Sequence, residues 1–176
     1  TLPKSIVVTV RCSKDDWPVI GDLTQLHQML LNLCINARDA MPHAGRIEID
    51  TKNVTVDAAL ANLNPGARPG PYVQISVRDS GSGISPAIIE MIFDPFFTTK
   101  AAGKGTGLGL SMVAGILKSH GGFVQVESEP GRWAVFHLFF PAIPEPIPAI
   151  IRPDAPAADR GMGEGILLID DEPVVR

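Results

Sequence analysis

Asp79-Ser80-Gly81-Ser82-Gly83-Ile84, read together with Gly103-Lys104-Gly105-Thr106-Gly107-Leu108-Gly109-Leu110-Ser111, decides how this chain is understood. Both are glycine-dense turns in a chain that is otherwise apolar and periodic. The first follows Tyr72–Arg78, where Val73, Ile75 and Val77 alternate with their neighbours as on a strand. The second opens a helix-like run, Gly107 to His120, stopped by Gly121-Gly122. An aspartate at a strand end can accept from an exocyclic amine such as adenine N6, while Gly81 and Gly83 let the backbone approach a flat ring. A glycine loop feeding a helix N-terminus can receive anions, and Lys100 and Lys104 add positive charge. Each turn alone has a plain reading, as an Asp-Ser-Gly turn or a glycine linker. Together they suggest a nucleotide site. The spacing is neither a P-loop nor a Rossmann fingerprint, since no Gly-Lys-Ser/Thr follows a four-residue gap and no βαβ unit surrounds it.

Upstream, Asp22 is a good N-cap with Gln25 three residues on. Leu23, Leu26, Leu30, Leu33 and Ala37 keep helical spacing, so Leu23 to Met41 reads as a long amphipathic helix that Pro42 and Gly45 stop. Asn32, Asn36 and Asp39 share one face of it, off the leucine stripe. A solvated polar face is the plain reading. Two amides and a carboxylate on one helical line also suit Mg²⁺ and the phosphates that share it.

The remaining elements follow the same rules. Ser5–Arg11, with Ile6, Val8 and Val10 alternating, reads as a strand with one buried face, and Trp17–Gly21 as a short second strand or an extended entry. Arg46–Val56 is a strand. Asp57–Pro71 is a loop with one helical turn at Ala58–Leu63. Ser85-Pro86 predicts a short helix to about Ile92. Phe93–Thr106 has no period and reads as a mobile loop. Phe123–Glu127 and Val135–Phe140 read as antiparallel strands around Glu129-Pro130-Gly131. Pro141–Gly163 is Pro/Ala-rich and reads as a linker. Ile166-Leu167-Leu168-Ile169 before Asp170-Asp171 reads as a further, buried-type strand.

The chain has 176 residues, 45% of them hydrophobic, which suffices for one domain and an appendage. Its formal charge of −4 gives no sign of a nucleic-acid surface. Cys12 and Cys34 lie in apolar contexts and read as reduced thiols. No apolar run approaches the roughly 18–20 residues of a membrane span, and the N-terminus has no signal-peptide pattern. The expectation is a cytoplasmic fragment of a longer parent, which a membrane segment elsewhere could anchor.

The order Asn32-Leu33-Cys34-Ile35-Asn36-Ala37-Arg38-Asp39-Ala40, Asp79 to Gly83, Phe93-Asp94-Pro95-Phe96-Phe97-Thr98-Thr99-Lys100 and Gly103 to Gly109 resembles the N, G1, F and G2 boxes of sensor histidine kinases. The wording is similar to kinases of the nitrogen-regulation type. The resemblance spans about Leu2 to Pro141. It implies the catalytic ATP-binding domain of the GHKL superfamily. The fold implied is a Bergerat-type two-layer α/β (α+β) sandwich, with a mixed, mostly antiparallel sheet and helices on one face. Ile166 to Arg176 resembles the first strand of a response-regulator receiver, which implies a hybrid kinase. The implied divisions are 1–141 catalytic domain, 142–163 linker and 164–176 start of a receiver.

The resemblance also implies roles. Asn36 is the Mg²⁺ ligand, with Asn32 beside the metal and the phosphates. Asp79 reads adenine, with Gly81, Gly83 and Ile84 around the base. Phe93–Thr106 is an ATP lid anchored by Phe96 and Phe97. Asp39, Lys100, Lys104, Gly105, Thr106, Gly107, Leu108 and Gly109 serve the phosphate side. ATP and Mg²⁺ are the implied cofactors. The implied partners are a histidine-bearing dimerisation domain, a receiver and a downstream response regulator, in a homodimeric parent. The superfamily's hydrolases carry a glutamate at the position of Asn32, and an amide cannot take water's proton, so transfer of the γ-phosphoryl to histidine is expected over ATP hydrolysis. His27, His43, His120 and His137 read as structural or surface residues, so the fragment is not expected to phosphorylate itself. One departure stands out. Where the family reads Gly-x-Gly-Thr before the last strand, this chain has Gly131-Arg132-Trp133-Ala134. The lost threonine hydroxyl is worth about 0.5–1.5 kcal/mol. A degenerate ATP-binding docking module is the alternative that this departure keeps open.

Overall fold

The computed structural model describes Pro3 and residues 5–100 and 105–144. Along the chain come β1 (Ile6–Arg11), α1 (Leu23–Ala40), β2 (Gly45–Val56), α2 (Ala58–Leu63), β3 (Gly70–Asp79), α3 (Gly109–Ser119), β4 (Phe123–Glu129) and β5 (Trp133–Pro141). The five strands form one sheet in the order β1-β2-β3-β5-β4. Only β1 and β2 run parallel; the other pairs are antiparallel. The mixed, mostly antiparallel sheet expected from the resemblance is present.

Alternation decides which side chains meet the long helices. Ile47 and Val77 of β2 and β3, and Phe136, Leu138 and Phe140 of β5, leave the sheet on one side. There they join Met29, Leu33 and Ala37 of α1 and Val113 and Leu117 of α3. Asp22 caps α1 through its carboxylate, which accepts from Gln25 N at 3.1 Å. Leu138 is fully buried at the centre of this layer. Leu138→Ala is expected to cost about 2–5 kcal/mol, read as a shift of the chemical denaturation midpoint at unchanged slope.

The opposite face holds a smaller cluster. Val56, Tyr72, Phe123 and Phe139 gather with Ala61 of α2, the phenyl rings of Phe123 and Phe139 stacked at 4.4 Å. The helical turn expected at Ala58–Leu63 is thus a real helix, capped by Asp57. Next to this cluster, His137 Nδ1 lies 2.9 Å from Gln74 Nε2 and 3.0 Å from Ser76 Oγ. Burial holds its imidazole below the ordinary value, with Glu127 opposing. His120 Nε2 accepts from Asp22 N at 3.1 Å, so both histidines have structural work.

Three expectations need correction. β1 is a strand, but only Ile6 of its apolar set is buried; Val8 is 43% and Val10 60% exposed. It is an edge strand, and the helices lie over β3, β4 and β5 instead. Trp17–Gly21 forms no full strand, only an isolated bridge from Val19 to Ala142. Ser85–Ile92 is not an α-helix. Its bonds Ile88 N→Ser85 O and Met91 N→Ile88 O close three-residue turns, since so short a segment gains more by laying Ile88 and Ile92 along a cleft than by completing a helical turn. The linker beyond residue 144 and the strand at 165–171 lie outside the described residues.

Candidate functional site

A cleft of about 690 Å³ opens between α1, the end of β3, the segment Ile84–Lys100 and the start of α3. Asp79 sits at its floor, 5% exposed, as the last residue of β3. Its ladder partner is Ala134 of β5. Burial pushes the Asp79 carboxyl above its usual range, and the backbone of Gly81 and Ala134 and the charge of Arg78 pull it back in part. Gly81 N–H donates to Asp79 Oδ1 at 2.8 Å. That bond, with the backbone of Ala134, fixes the carboxylate's orientation at the cleft floor.

The turn after Asp79 is held by the β4–β5 hairpin. Ile84 N–H donates to Ser128 Oγ at 2.7 Å, and that hydroxyl donates to Trp133 O at 2.8 Å. Gly131 N–H donates to Ser82 O at 2.6 Å. Gly83 has φ +63°, and a Cβ there would lie 2.3 Å from Glu129 O. Only glycine lets the turn sit this close. Trp133 belongs to the back of the sheet, where Arg78 lies 4.4 Å over its ring, so it does not fill the space that Ala134 leaves.

At the far end of the cleft, Asn32 and Asn36 face the start of α3. A Cβ on Gly109 would be 3.6 Å from Asn36 Nδ2 and 4.0 Å from Asn32 Cγ. Asn32 Nδ2 donates to Met112 Sδ at 3.4 Å, which turns its carbonyl oxygen away. Among the described residues no side chain caps the N-terminus of α3, so its amides are available to an acceptor. Phe96 and Gly107 zip the flanking segments together. Phe96 N–H donates to Gly107 O at 2.9 Å, and both have positive φ. Phe97 lines the cleft and packs on the core, but Phe96 is 74% exposed, so only one of the two expected aromatic anchors is inserted.

Of the sequence-predicted residues, the cleft wall includes Asn32, Asn36, Asp39, Asp79, Gly83, Ile84, Phe97, Lys100, Gly105, Thr106, Gly107 and Gly109. Gly81 and Leu108 lie off it. Gly81 faces Ala40 and Asp79, and Leu108 turns outward at 38% exposure. Lys104 lies outside the described residues. Arg38, Thr98 and Thr99 line the cleft unforeseen, although each stands inside a motif already quoted. Ile35, Ile88, Ile92, Leu110 and Phe136 do so as well, and apolar periodicity cannot tell a cleft wall from a core. Asp39 is held by Arg38, at 2.9 Å from its Nε and 2.7 Å from its Nη2, and by Lys100 Nζ. Burial would raise its carboxyl, but the bonds and charges of Lys100 and Arg38 together bring it below the ordinary range.

The amide oxygens of Asn32 and Asn36 are the hard, neutral donors that Mg²⁺ accepts, so the residues present fit that ion. Among the described residues no three His, Cys, Asp or Glu side chains gather as a metal site, and no helix is long and apolar enough to cross a membrane.

The family described as histidine kinase-, DNA gyrase B- and HSP90-like ATPase matches residues 21–144. The chain is 42% identical over 181 residues to the sensor kinase CckA of Brucella abortus, covering 98% of this chain and 19% of that protein. It is 39% identical over 129 residues to the histidine kinase/phosphatase NtrB of Rhodobacter capsulatus, covering 73% of this chain and 35% of that one. It therefore spans about a fifth to a third of the length of these relatives. The catalytic domain of the histidine kinase ThkA superposes with a TM-score of 0.62 at 33% identity, over 80% of this chain and 81% of that one. This chain belongs to the histidine kinase-, gyrase B- and HSP90-like ATPase family, as a catalytic domain of the sensor histidine kinase kind.

Proposed function

We propose that the cleft binds ATP with Mg²⁺ and that the chain donates the γ-phosphoryl group to a histidine on a separate dimerisation domain. The observation that carries this is the division of the cleft. A buried carboxylate, Asp79, stands at one end, and two amides beside an uncapped helix N-terminus stand at the other. Asp79, Gly83 and Ile84 take the base. Asn36, with Asn32, holds Mg²⁺, which when bound neutralises phosphate charge. Gly105, Thr106, Gly107 and Gly109 approach the phosphates, to which the amides of the α3 N-terminus donate. No carboxylate occupies the Asn32 position to activate water, which favours transfer over hydrolysis. The division into catalytic domain, linker and receiver start, the hybrid and dimeric parent, and a downstream regulator are part of the same proposal.

The test adds a histidine-bearing dimerisation domain of a related kinase in trans, with labelled ATP. Acid-labile, base-stable label on that domain supports the reading. Steady phosphate release without the added domain would instead support a hydrolase.

One observation favours a second reading, an ATP-binding docking module without transfer. The Ala134 methyl is buried beside Asp79 and offers no hydroxyl. Ala134→Thr is expected to tighten ATP binding by up to about tenfold, through one hydrogen bond of about 0.5–1.5 kcal/mol. Displacement of a fluorescent ATP analogue measures it.

A further inference from the structure

Asp39 is an odd residue to find in a cleft for a polyanion. Its two oxygens are already engaged, Oδ1 by Arg38 and Oδ2 by Lys100, so it offers neither a free carboxylate to a metal nor bare negative charge to a phosphate. The three side chains together carry one net positive charge. Lys100 belongs to the segment after Phe97, sixty-one positions along the chain from Asp39, and this pair ties that segment to α1.

Position along α1 says which part of a ligand the cluster meets. Ser82 N–H donates to Ala40 O at 3.1 Å, and Gly81 abuts the Ala40 side chain. The Asp79 end of the cleft therefore sits at the C-terminus of α1. The α3 N-terminus instead meets Asn36 and Asn32. With a rise of about 1.5 Å per residue, Asn32 lies roughly 12 Å along the axis from Ala40, and Asp39 only one residue from it. Asn36, which meets the α3 N-terminus, is three residues or about 4.5 Å from Asp39, so the Arg38–Asp39–Lys100 cluster lies between the base end and Asn36, nearer the base end.

We infer that Asp39 is a positioning residue that holds Lys100 over the phosphate nearest the nucleoside, so that Lys100 reads a feature ATP and ADP share. The inference deepens the nucleotide reading above and rests on it. Lys100 supplies the contact, and Asp39 acts only through Lys100, with Arg38 occupying its other oxygen.

Displacement of a fluorescent ATP analogue by ATP, ADP and adenosine tests this on the full chain. Lys100→Ala should weaken ATP and ADP by the same factor, roughly fivefold for a partly exposed ion contact, and leave adenosine unchanged. Asp39→Asn should reproduce that pattern, the double variant should add nothing further, and Asp39→Glu should restore most of the affinity. Tighter binding by Asp39→Asn would show a merely repulsive carboxylate and overturn the inference. A loss confined to ATP would place Lys100 at the terminal phosphate, and an equal loss for adenosine would show a structural role; either overturns it. If the unsubstituted chain binds none of the three, the nucleotide reading itself fails. If it binds ATP and ADP but Lys100→Ala changes neither, only the present inference fails.

Discussion

Asp79→Asn is expected to lower the affinity for ATP about ten- to hundredfold, while the protein stays folded. A hydrogen bond to a charged group is worth about 1.5–3 kcal/mol, and Asp79 is nearly fully buried, where such bonds are least screened. Asparagine keeps one acceptor but gains an amide donor. With Gly81 N–H already directed at this side chain, one donor must face another, either that N–H or the ligand's amine. Stability of the free protein should move the other way with pH. The folded-state carboxyl lies above its unfolded value because of burial, so the folded chain keeps the proton to higher pH. This group's contribution therefore falls as pH rises from the unfolded carboxylate value through the folded one. Asp79→Asn removes that dependence. Melting curves from pH 4 to 8 should show the substituted protein gaining on the unsubstituted one toward the upper end, while titration with the fluorescent analogue shows the loss of binding.

Gly83→Val is expected to eliminate measurable nucleotide binding and to lower the melting temperature by several degrees. A Cβ at this position would overlap Glu129 O at 2.3 Å and Trp133 O at 2.9 Å, both backbone atoms that cannot rotate away. The turn would have to lift from the β4–β5 hairpin, releasing the bonds Ile84 N→Ser128 Oγ and Gly131 N→Ser82 O. Backbone strain at φ +63° adds about 1–3 kcal/mol, and each kcal/mol corresponds to about 2–4 °C in a chain of this size. Gly131→Ala is the control. Its φ is +79°, but nothing lies within 4 Å of the added Cβ, so it should show the strain without the loss of binding. Circular dichroism should report an intact sheet in both.

Much of this is legible in the sequence. The Asp22 cap, the leucine stripe of α1 and the alternation of β3 are local patterns, and local patterns settle helices and strands. The shift of β2 from Ile47 and Ile49 on one face to Val54 and Val56 on the other is visible in the sequence as well. Only the sheet shows that the second pair packs under α2. What escaped was set by distant neighbours. Val8 and Val10 alternate as buried residues would, but an edge position leaves them exposed. Ser85-Pro86 is a good helix start, but the cleft claims Ile88 and Ile92. Gly81 and Gly83 look alike in sequence, yet one aims the Asp79 carboxylate and the other clears the hairpin. Phe96 and Phe97 are identical neighbours, and the positive φ of Phe96 sends one outward. The pairing of Asp39 with Lys100 depends on a segment sixty-one residues away.

The account stands most directly on one titration, ATP against this chain with and without Mg²⁺, on the unsubstituted protein and on Asn36→Ala and Asp79→Asn. It predicts saturable binding to a single site that strengthens with Mg²⁺, loses that Mg²⁺ dependence in Asn36→Ala and weakens with or without Mg²⁺ in Asp79→Asn. Absence of saturable binding by the unsubstituted chain, or binding that is indifferent to both substitutions, would contradict it.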